Sequence, residues 1–212
     1  MPKIKSAQLE EMIHSYKERR IAIRKRLREF SKVQPADYFY ELVYCLLTPQ
    51  SSAAHAEQVV AKLHEARFQY RDVNPEPFLR RKECYIRFHR TKSLHLLRMK
   101  DQFSVIAQKL SEPVSAVELR EWLVKNVLGL GYKEASHFLR NIGRNDSLAI
   151  LDRHILRNLK RLGVINSIPK SISRKHYLDI EKRFSKFAID LGIVLDELDL
   201  VFWCMETGEI RK

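Results

Sequence analysis

The amino-acid sequence predicts an all-α protein. Apolar residues recur at three- and four-residue spacing in about ten separate stretches, the signature of amphipathic helices. No stretch shows the strict apolar–polar alternation of a half-buried strand. No internal repeat of 20–50 residues appears, so a solenoid or propeller is excluded.

In chain order, residues 6–32 read as a long, charged helix in which Ile13, Ile21 and Leu27 are too sparse for a fully buried face. Residues 1–34 carry ten Lys/Arg against four Asp/Glu, which suits a solvated face or a DNA-backbone contact. Pro35-Ala36-Asp37 starts a helix with an apolar stripe of Phe39, Leu42, Val43 and Leu46. It stops at Thr48-Pro49, because the residue before proline avoids helical angles. Ser51 or Ser52 caps the next helix, which carries Ala56, Val59, Val60 and Leu63. Residues 67–100 hold ten Lys/Arg against three Asp/Glu, with Tyr70, Phe78, Tyr85 and Phe88 interleaved. That mixture suits a nucleic-acid surface, although such aromatics more often pack in a core. Leu96, Met99, Phe103, Ile106 and Leu110 mark one further helix, closed by Pro113.

Leu119, Trp122, Leu123 and Val127 then give one helical face, and Ala135, Phe138, Leu139 and Ile142 another. Between them lies Leu128-Gly129-Leu130-Gly131-Tyr132-Lys133. A link this short, with two glycines, makes a tight hairpin whose second helix opens with outward-pointing N–H groups, a geometry that suits a phosphate. Gly129 and Gly131 are the candidate backbone-phosphate contacts. Lys133 falls in the first turn of the second helix, on the side of His137 and Arg140, away from the apolar face. The positive end of the helix dipole repels an ammonium there and suits an uncharged, nucleophilic amine. In Ile150-Leu151-Asp152-Arg153-His154 the aspartate precedes a helix bearing Ile155, Leu156, Leu159 and Leu162, the place of an N-cap. Gly163 and Pro169 lead to a helix near 173–191, and Gly192 separates it from a last one carrying Leu195, Leu198, Phe202 and Met205 and ending at Gly208.

The 212 residues carry a net charge of +13 with 45% hydrophobic residues, enough for a real core and strongly suggestive of a polyanionic partner. No apolar run reaches the length of a membrane span, so nucleic acid is favoured over membrane. The N-terminus, Met-Pro-Lys-Ile-Lys, lacks an apolar signal segment, and the expected location is the cytoplasm, with the nucleoid in a prokaryote. Cys45, Cys84 and Cys204 are widely spaced and read as buried thiols. Eight histidines form no His-x-x-x-His pair, so no metal site is expected. Neither a P-loop nor a dinucleotide fingerprint is present. No cofactor is expected.

Gly-Leu-Gly-Tyr-Lys, a helix, and then Leu-Asp-Arg-His resemble the helix–hairpin–helix DNA glycosylases, and most closely the small archaeal-type 8-oxoguanine DNA glycosylases with lyase activity. The resemblance runs from about Phe39 to the C-terminus and includes Leu47-Thr48-Pro49-Gln50-Ser51-Ser52 and Arg87-Phe88-His89-Arg90. It implies a two-lobed helical fold with the active site in the cleft between lobes. One lobe, 1–47 with 149–212, is built from both chain ends; the other, 48–148, includes the helix–hairpin–helix at about 117–143. It further implies Lys133 as nucleophile, Asp152 as its acidic partner, and Gln50 as the residue filling the gap left by a flipped base. Phe88 and Trp203 are candidates for stacking on that base, with core packing the alternative for each. The tail Glu209-Ile210-Arg211-Lys212 resembles the lysine-terminated tail that reaches the substrate base in this family, so Lys212 joins the expected base pocket. Some relatives hold an iron–sulfur cluster on four close cysteines, which three scattered cysteines cannot build. The expected protein is a monomer that excises 8-oxoguanine from double-stranded DNA and cleaves the strand by β-elimination. A non-catalytic helix–hairpin–helix DNA-binding module, or a glycosylase/lyase for another lesion, remains the alternative.

Overall fold

The computed structural model describes residues 6–146 and 148–210. The described residues form eleven α-helices, two single-turn 3-10 segments and no strand, as expected. In order the helices are α1 (Ser6–Phe30), α2 (Tyr38–Leu47), α3 (Ala53–Glu65), α4 (Glu76–Leu79), α5 (His89–Asp101), α6 (Phe103–Ser111), α7 (Ala116–Asn126), α8 (Tyr132–Asn141), α9 (Arg153–Arg161), α10 (Arg174–Leu191) and α11 (Leu195–Thr207). None is long and apolar enough to cross a membrane. Where one helix spans Leu96 to Leu110 in the sequence reading, the chain makes two. The break is at Gln102, whose φ of −94° and ψ of 0° leave the helical ladder.

The chain divides into two compact units, one of residues 33–142 and one made of the residues up to Lys32 together with those from Gly143 onward. Sequence reasoning set the boundaries at 47/48 and 148/149 and gave α2 to the unit of both chain ends. The apolar stripe of α2 decides its place instead. Phe39, Leu42, Val43, Leu46 and Leu47 are all buried, and the helix packs against α3, α5 and α8. The Phe39 ring meets Phe68 and Phe103 at centroid separations of 5.8 and 5.0 Å. At the second boundary, residues 145–149 are tied to the other unit. Asn145 Nδ2 donates to Asp196 Oδ1 (2.6 Å), the Ala149 N–H donates to Glu181 Oε1 (2.8 Å), and the Tyr177 hydroxyl donates to the Ala149 carbonyl (2.6 Å).

In the unit of both chain ends, α11 packs on α1, α9 and α10. The Phe202 and Phe184 rings stack at 5.5 Å between centroids, and Leu198 is fully buried. Helix α1 buries Met12, Tyr16, Ile23 and Phe30 while Ile21 stays exposed, so its inward face runs through residues other than the isoleucines the sequence reading picked out. Polar pairs anchor that face. The Tyr16 hydroxyl donates to Glu197 Oε2, and Arg24 Nε donates to Glu197 Oε1 at 2.7 Å. The helix starts follow the expected cap chemistry. Ser52 accepts from the His55 N–H, Ser115 and Glu118 close a reciprocal capping box, and Ser173 accepts from the His176 N–H.

Gly143 opens the return into this unit at a left-handed φ of 69°. A Cβ there would lie 2.6 Å from Ser31 Cα and 3.2 Å from the Phe30 carbonyl oxygen, backbone atoms that cannot swing aside. Gly143→Ala should therefore lose about 2 kcal/mol or more, from the left-handed backbone and the clash together. A denaturation midpoint unchanged from wild type would show that the α1 terminus yields to the added methyl.

Candidate active site

In the middle unit the α7–α8 hairpin is held by side chains from both its helices. The buried Arg120 donates from Nη1 to Ser136 Oγ at 3.2 Å, with its guanidinium 5.3 Å from the Tyr132 ring centroid. The Tyr132 hydroxyl donates to Glu121 Oε2 at 2.7 Å. Between the helices, Leu130 is buried and Leu128 is exposed. Gly129 takes a φ of 85°, and a Cβ there would fall 2.1 Å from His95 Nδ1 and 2.9 Å from its Cγ. Glycine is thus required twice over at this position, by backbone angle and by the imidazole of α5. Gly131 is extended and precedes α8 with no capping side chain. The N-cap residue therefore brings no side-chain acceptor of its own to the first N–H groups, and the Glu134 carboxylate is the acidic group of that turn.

Lys133 sits in the first turn of α8 with its side chain about a quarter exposed, its Nζ 3.1 Å from Glu134 Oε1. Sequence reasoning puts it on the side of His137 and Arg140, opposite the helix's own apolar face, and that side is itself packed. Helix α8 is buried on both faces from Ala135 to Asn141. His137 lies edge-on to Tyr44 of α2, their ring centroids 5.8 Å apart. The polar side of α8 is a second packed interface, because α2 occupies it, and Lys133 lies at the open end of that side.

One residue that sequence reasoning missed stands beside it. Lys92 of α5 is 5% exposed, and its Nζ donates to the carbonyls of Leu47 (2.6 Å) and Pro49 (2.7 Å) and to Ser51 Oγ (3.2 Å). Burial pushes its ammonium down to about 8; the positive charge of Lys133 adds to that shift and Glu134 opposes it. The signal was present in the chain. Lys92 falls on one helical face with Leu96 and Met99, a lysine on an apolar stripe, but the density of charge in residues 67–100 hid it.

Gln50 and Phe88 stand at the ends of this same arrangement. Gln50 is exposed at a φ of 54°, in the turn closed by the Ser51 N–H donating to the Thr48 carbonyl at 3.0 Å. Phe88, the N-cap of α5, has a φ of 60° and is 49% exposed, with the Arg87 guanidinium 4.9 Å from its ring centroid. A large aromatic held out of the core at a left-handed backbone is not packing for stability. Core packing is therefore not its role.

In the other unit Asp152 is the N-cap of α9. Its Oδ1 accepts from the N–H groups of His154 (2.8 Å) and Ile155 (2.9 Å). Its Oδ2 accepts from the Trp203 indole N–H of α11 at 3.1 Å. Trp203 is half-buried and edge-on to His154, 5.7 Å between centroids. The indole thus orients the carboxylate, a contact across 51 residues that no local spacing reveals. Lys212 lies outside the described residues. Among the described residues no three His, Cys, Asp or Glu side chains converge as a metal-ligand set.

The family model for "8-oxoguanine DNA glycosylase" matches residues 23–193 of this chain. An 8-oxoguanine DNA glycosylase/AP lyase of Fusobacterium nucleatum is 39% identical over 93% of the chain and 94% of its own length. Among solved structures, the 8-oxoguanine DNA glycosylase of Methanocaldococcus jannaschii superposes with a TM-score of 0.84 at 31% identity, covering 98% of both chains. The Methanocaldococcus jannaschii enzyme in complex with a 15mer DNA containing 8-oxoguanine superposes with a TM-score of 0.83 at 32% identity, over 95% of this chain and 100% of the other. With the match reaching from α1 to the end of α10, this chain belongs to the 8-oxoguanine DNA glycosylase family.

Proposed function

We propose that this protein excises 8-oxoguanine from DNA and cleaves the abasic strand by β-elimination through a Schiff base on Lys133. Its relatives carry both activities in their names, along nearly their whole length. The observation that carries the assignment of the nucleophile is local. A lysine follows the glycine hairpin directly, in the first turn of a helix that offers uncapped N–H groups. A hairpin of this kind grips phosphate without reading sequence, and so fixes the register of the strand.

The target base cannot be reached inside a duplex, so the nucleotide is turned out at a cost of a few kcal/mol. The uncharged amine of Lys133 bonds to the anomeric carbon as the glycosidic bond breaks, and the bonding pair leaves with the base. Asp152 stabilises the positive charge that develops on the sugar. Opening of the sugar ring gives an iminium, which acidifies the neighbouring C2′ proton. Loss of that proton expels the 3′ phosphate. Gln50 takes the place of the displaced base, and Phe88 stacks on the base that has been turned out. Guanine and 8-oxoguanine differ at N7, an acceptor in one and an N–H donor in the other, so selection needs a single well-placed acceptor. The DNA is double-stranded, and the enzyme works as a monomer in the cytoplasm, at the nucleoid in a prokaryote.

Lys133→Gln should bind an 8-oxoguanine duplex as wild type does, yet give neither base release nor a borohydride-trapped adduct. An adduct at wild-type yield would move the nucleophile to another amine.

Asp152→Asn separates chemistry from capping. Asparagine keeps the cap through its carbonyl oxygen, but its amide then meets the Trp203 indole as donor against donor. Stability should fall by about 1–2 kcal/mol, while base excision falls by roughly a hundredfold to a thousandfold. Excision within tenfold of wild type in a folded variant would remove Asp152 from the reaction.

The net charge of +13 implies that phosphate contacts supply much of the affinity. If about six phosphates are neutralised, binding should weaken roughly a thousandfold between 50 and 200 mM salt. An affinity that stays level across that range would contradict a backbone-dominated interface.

A further inference from the structure

Lys92 is a buried ammonium whose position the reaction above does not explain. A lysine that is 5% exposed has given up nearly all of its hydration, and no carboxylate hydrogen-bonds to it. Its three donors go instead to the Leu47 carbonyl, the Pro49 carbonyl and Ser51 Oγ. The first two are acceptors at and just past the C-terminus of α2, where a helix leaves its last carbonyls without helical partners. The third leads onward, because Ser51 Oγ also accepts the Arg87 N–H at 3.0 Å. One ammonium therefore joins two segments. The first, from Thr48 to Ser52, carries Gln50; the second, at Arg87–Phe88, carries Phe88 and begins the helix on which Lys92 itself stands.

Both Gln50 and Phe88 are exposed side chains on left-handed backbones, a conformation that costs a non-glycine residue about 1 kcal/mol or more and persists only where its surroundings enforce it. Lys92 is what the two have in common. Its backbone N–H also donates to the Phe88 carbonyl at 2.9 Å. Burial lowers its ammonium to about 8, and three oxygen acceptors around one Nζ call for the three donors of the charged form.

We propose that Lys92 is a positioning residue that holds Gln50 and Phe88 at a fixed spacing, so that both meet the DNA together when the damaged nucleotide leaves the stack. The proposal rests on the reading of Gln50 and Phe88 as DNA-contacting residues. In this role Lys92 acts through the loop and helix start that it joins, and not on the reacting atoms. Its effect belongs to base flipping, and not to overall DNA affinity.

The test is made in full-length protein in the Lys133→Gln background, so that no base is released. A duplex with 2-aminopurine beside 8-oxoguanine reports the turned-out nucleotide by fluorescence. Adding Lys92→Met should lower the flipped fraction about tenfold, the size expected when charge-assisted hydrogen bonds to the loop are lost. Adding Gln50→Ala or Phe88→Ala should lower it comparably, and combining Lys92→Met with Gln50→Ala should add little further. Affinity for undamaged duplex should stay within about twofold, since the phosphate contacts are intact. Flipping at the background level with Lys92→Met, while Gln50→Ala and Phe88→Ala impair it, overturns the role of Lys92 alone. Background-level flipping in all three shows instead that Gln50 and Phe88 were misread, and the positioning role falls with them. An equal loss of affinity for undamaged duplex overturns it in favour of a general structural role. Should Lys92→Met lose its helical circular dichroism, Ser51→Ala takes its place. That variant removes the bridging hydroxyl and leaves the lysine buried; reduced flipping upholds the proposal, and background-level flipping overturns it.

Discussion

The middle unit depends on the burial of α2. Of its ten residues only Tyr38 and Tyr40 are not buried, so the helix is a core element closed in by α3, α5 and α8. Burying a helix on all sides gains apolar contact, but it also carries the C-terminal carbonyls out of reach of water. Such groups cost about 1–3 kcal/mol each if left unpaired. Lys92 answers that need for Leu47. The next residues turn back sharply, and the outward-facing Gln50 is the consequence. A packing constraint at one helix end thus sets where an exposed side chain stands.

The same logic, with the sign of the charge reversed, governs the other unit. Helix α9 begins with N–H groups that need acceptors, and Asp152 supplies one oxygen to two of them. Its second oxygen is taken by the indole of α11, the helix against which α9 packs. In both units, then, a charged residue of functional interest is fixed by the backbone groups that a helix end leaves over. This is economical for a small protein. The interactions that finish the fold are the ones that orient the groups proposed for chemistry.

Much of this was legible in the chain. Helical periodicity found the main helices, glycines and prolines found most of their ends, and Asp152 was recognisable as a cap from its place before Ile155 and Leu156. Gly129–Lys133 stood out because a short double-glycine link between two amphipathic runs has few structural solutions. What stayed hidden depends on contacts between distant residues. The membership of α2 was misjudged because its stripe says that it is buried but not by what. Lys92 was lost in a basic stretch, since charge counting treats a buried lysine and a solvated one alike. The bond from Trp203 to Asp152 joins helices that the sequence separates by two loops. Helix α1 misled in another way. Its inward residues, Met12, Tyr16, Ile23 and Phe30, are spaced too widely for a local window to weigh them together.

The two groups with proposed chemical roles are held very differently, and the difference suits those roles. Asp152 receives three hydrogen bonds from three donors on two helices, so neither its rotamer nor its distance from α9 can drift. A group that stabilises transient charge has to be in place beforehand, because any reorganisation at the moment of reaction subtracts from what it contributes. Lys133 has the opposite character. Its ion pair is with the adjacent residue, Glu134, and neighbours in a helix do not normally face one another, so the regular helix does not by itself impose this pairing. The pair is largely shielded from solvent, yet it engages the amine at a single carboxylate oxygen. A nucleophile must close on its carbon, bond to it, follow the sugar as its ring opens, and let go after elimination. A long amine held at one acceptor can make those movements, whereas one pinned as Asp152 is pinned could not. The rigidity in the middle unit lies instead at Lys92 of α5, which the chemistry does not require to move.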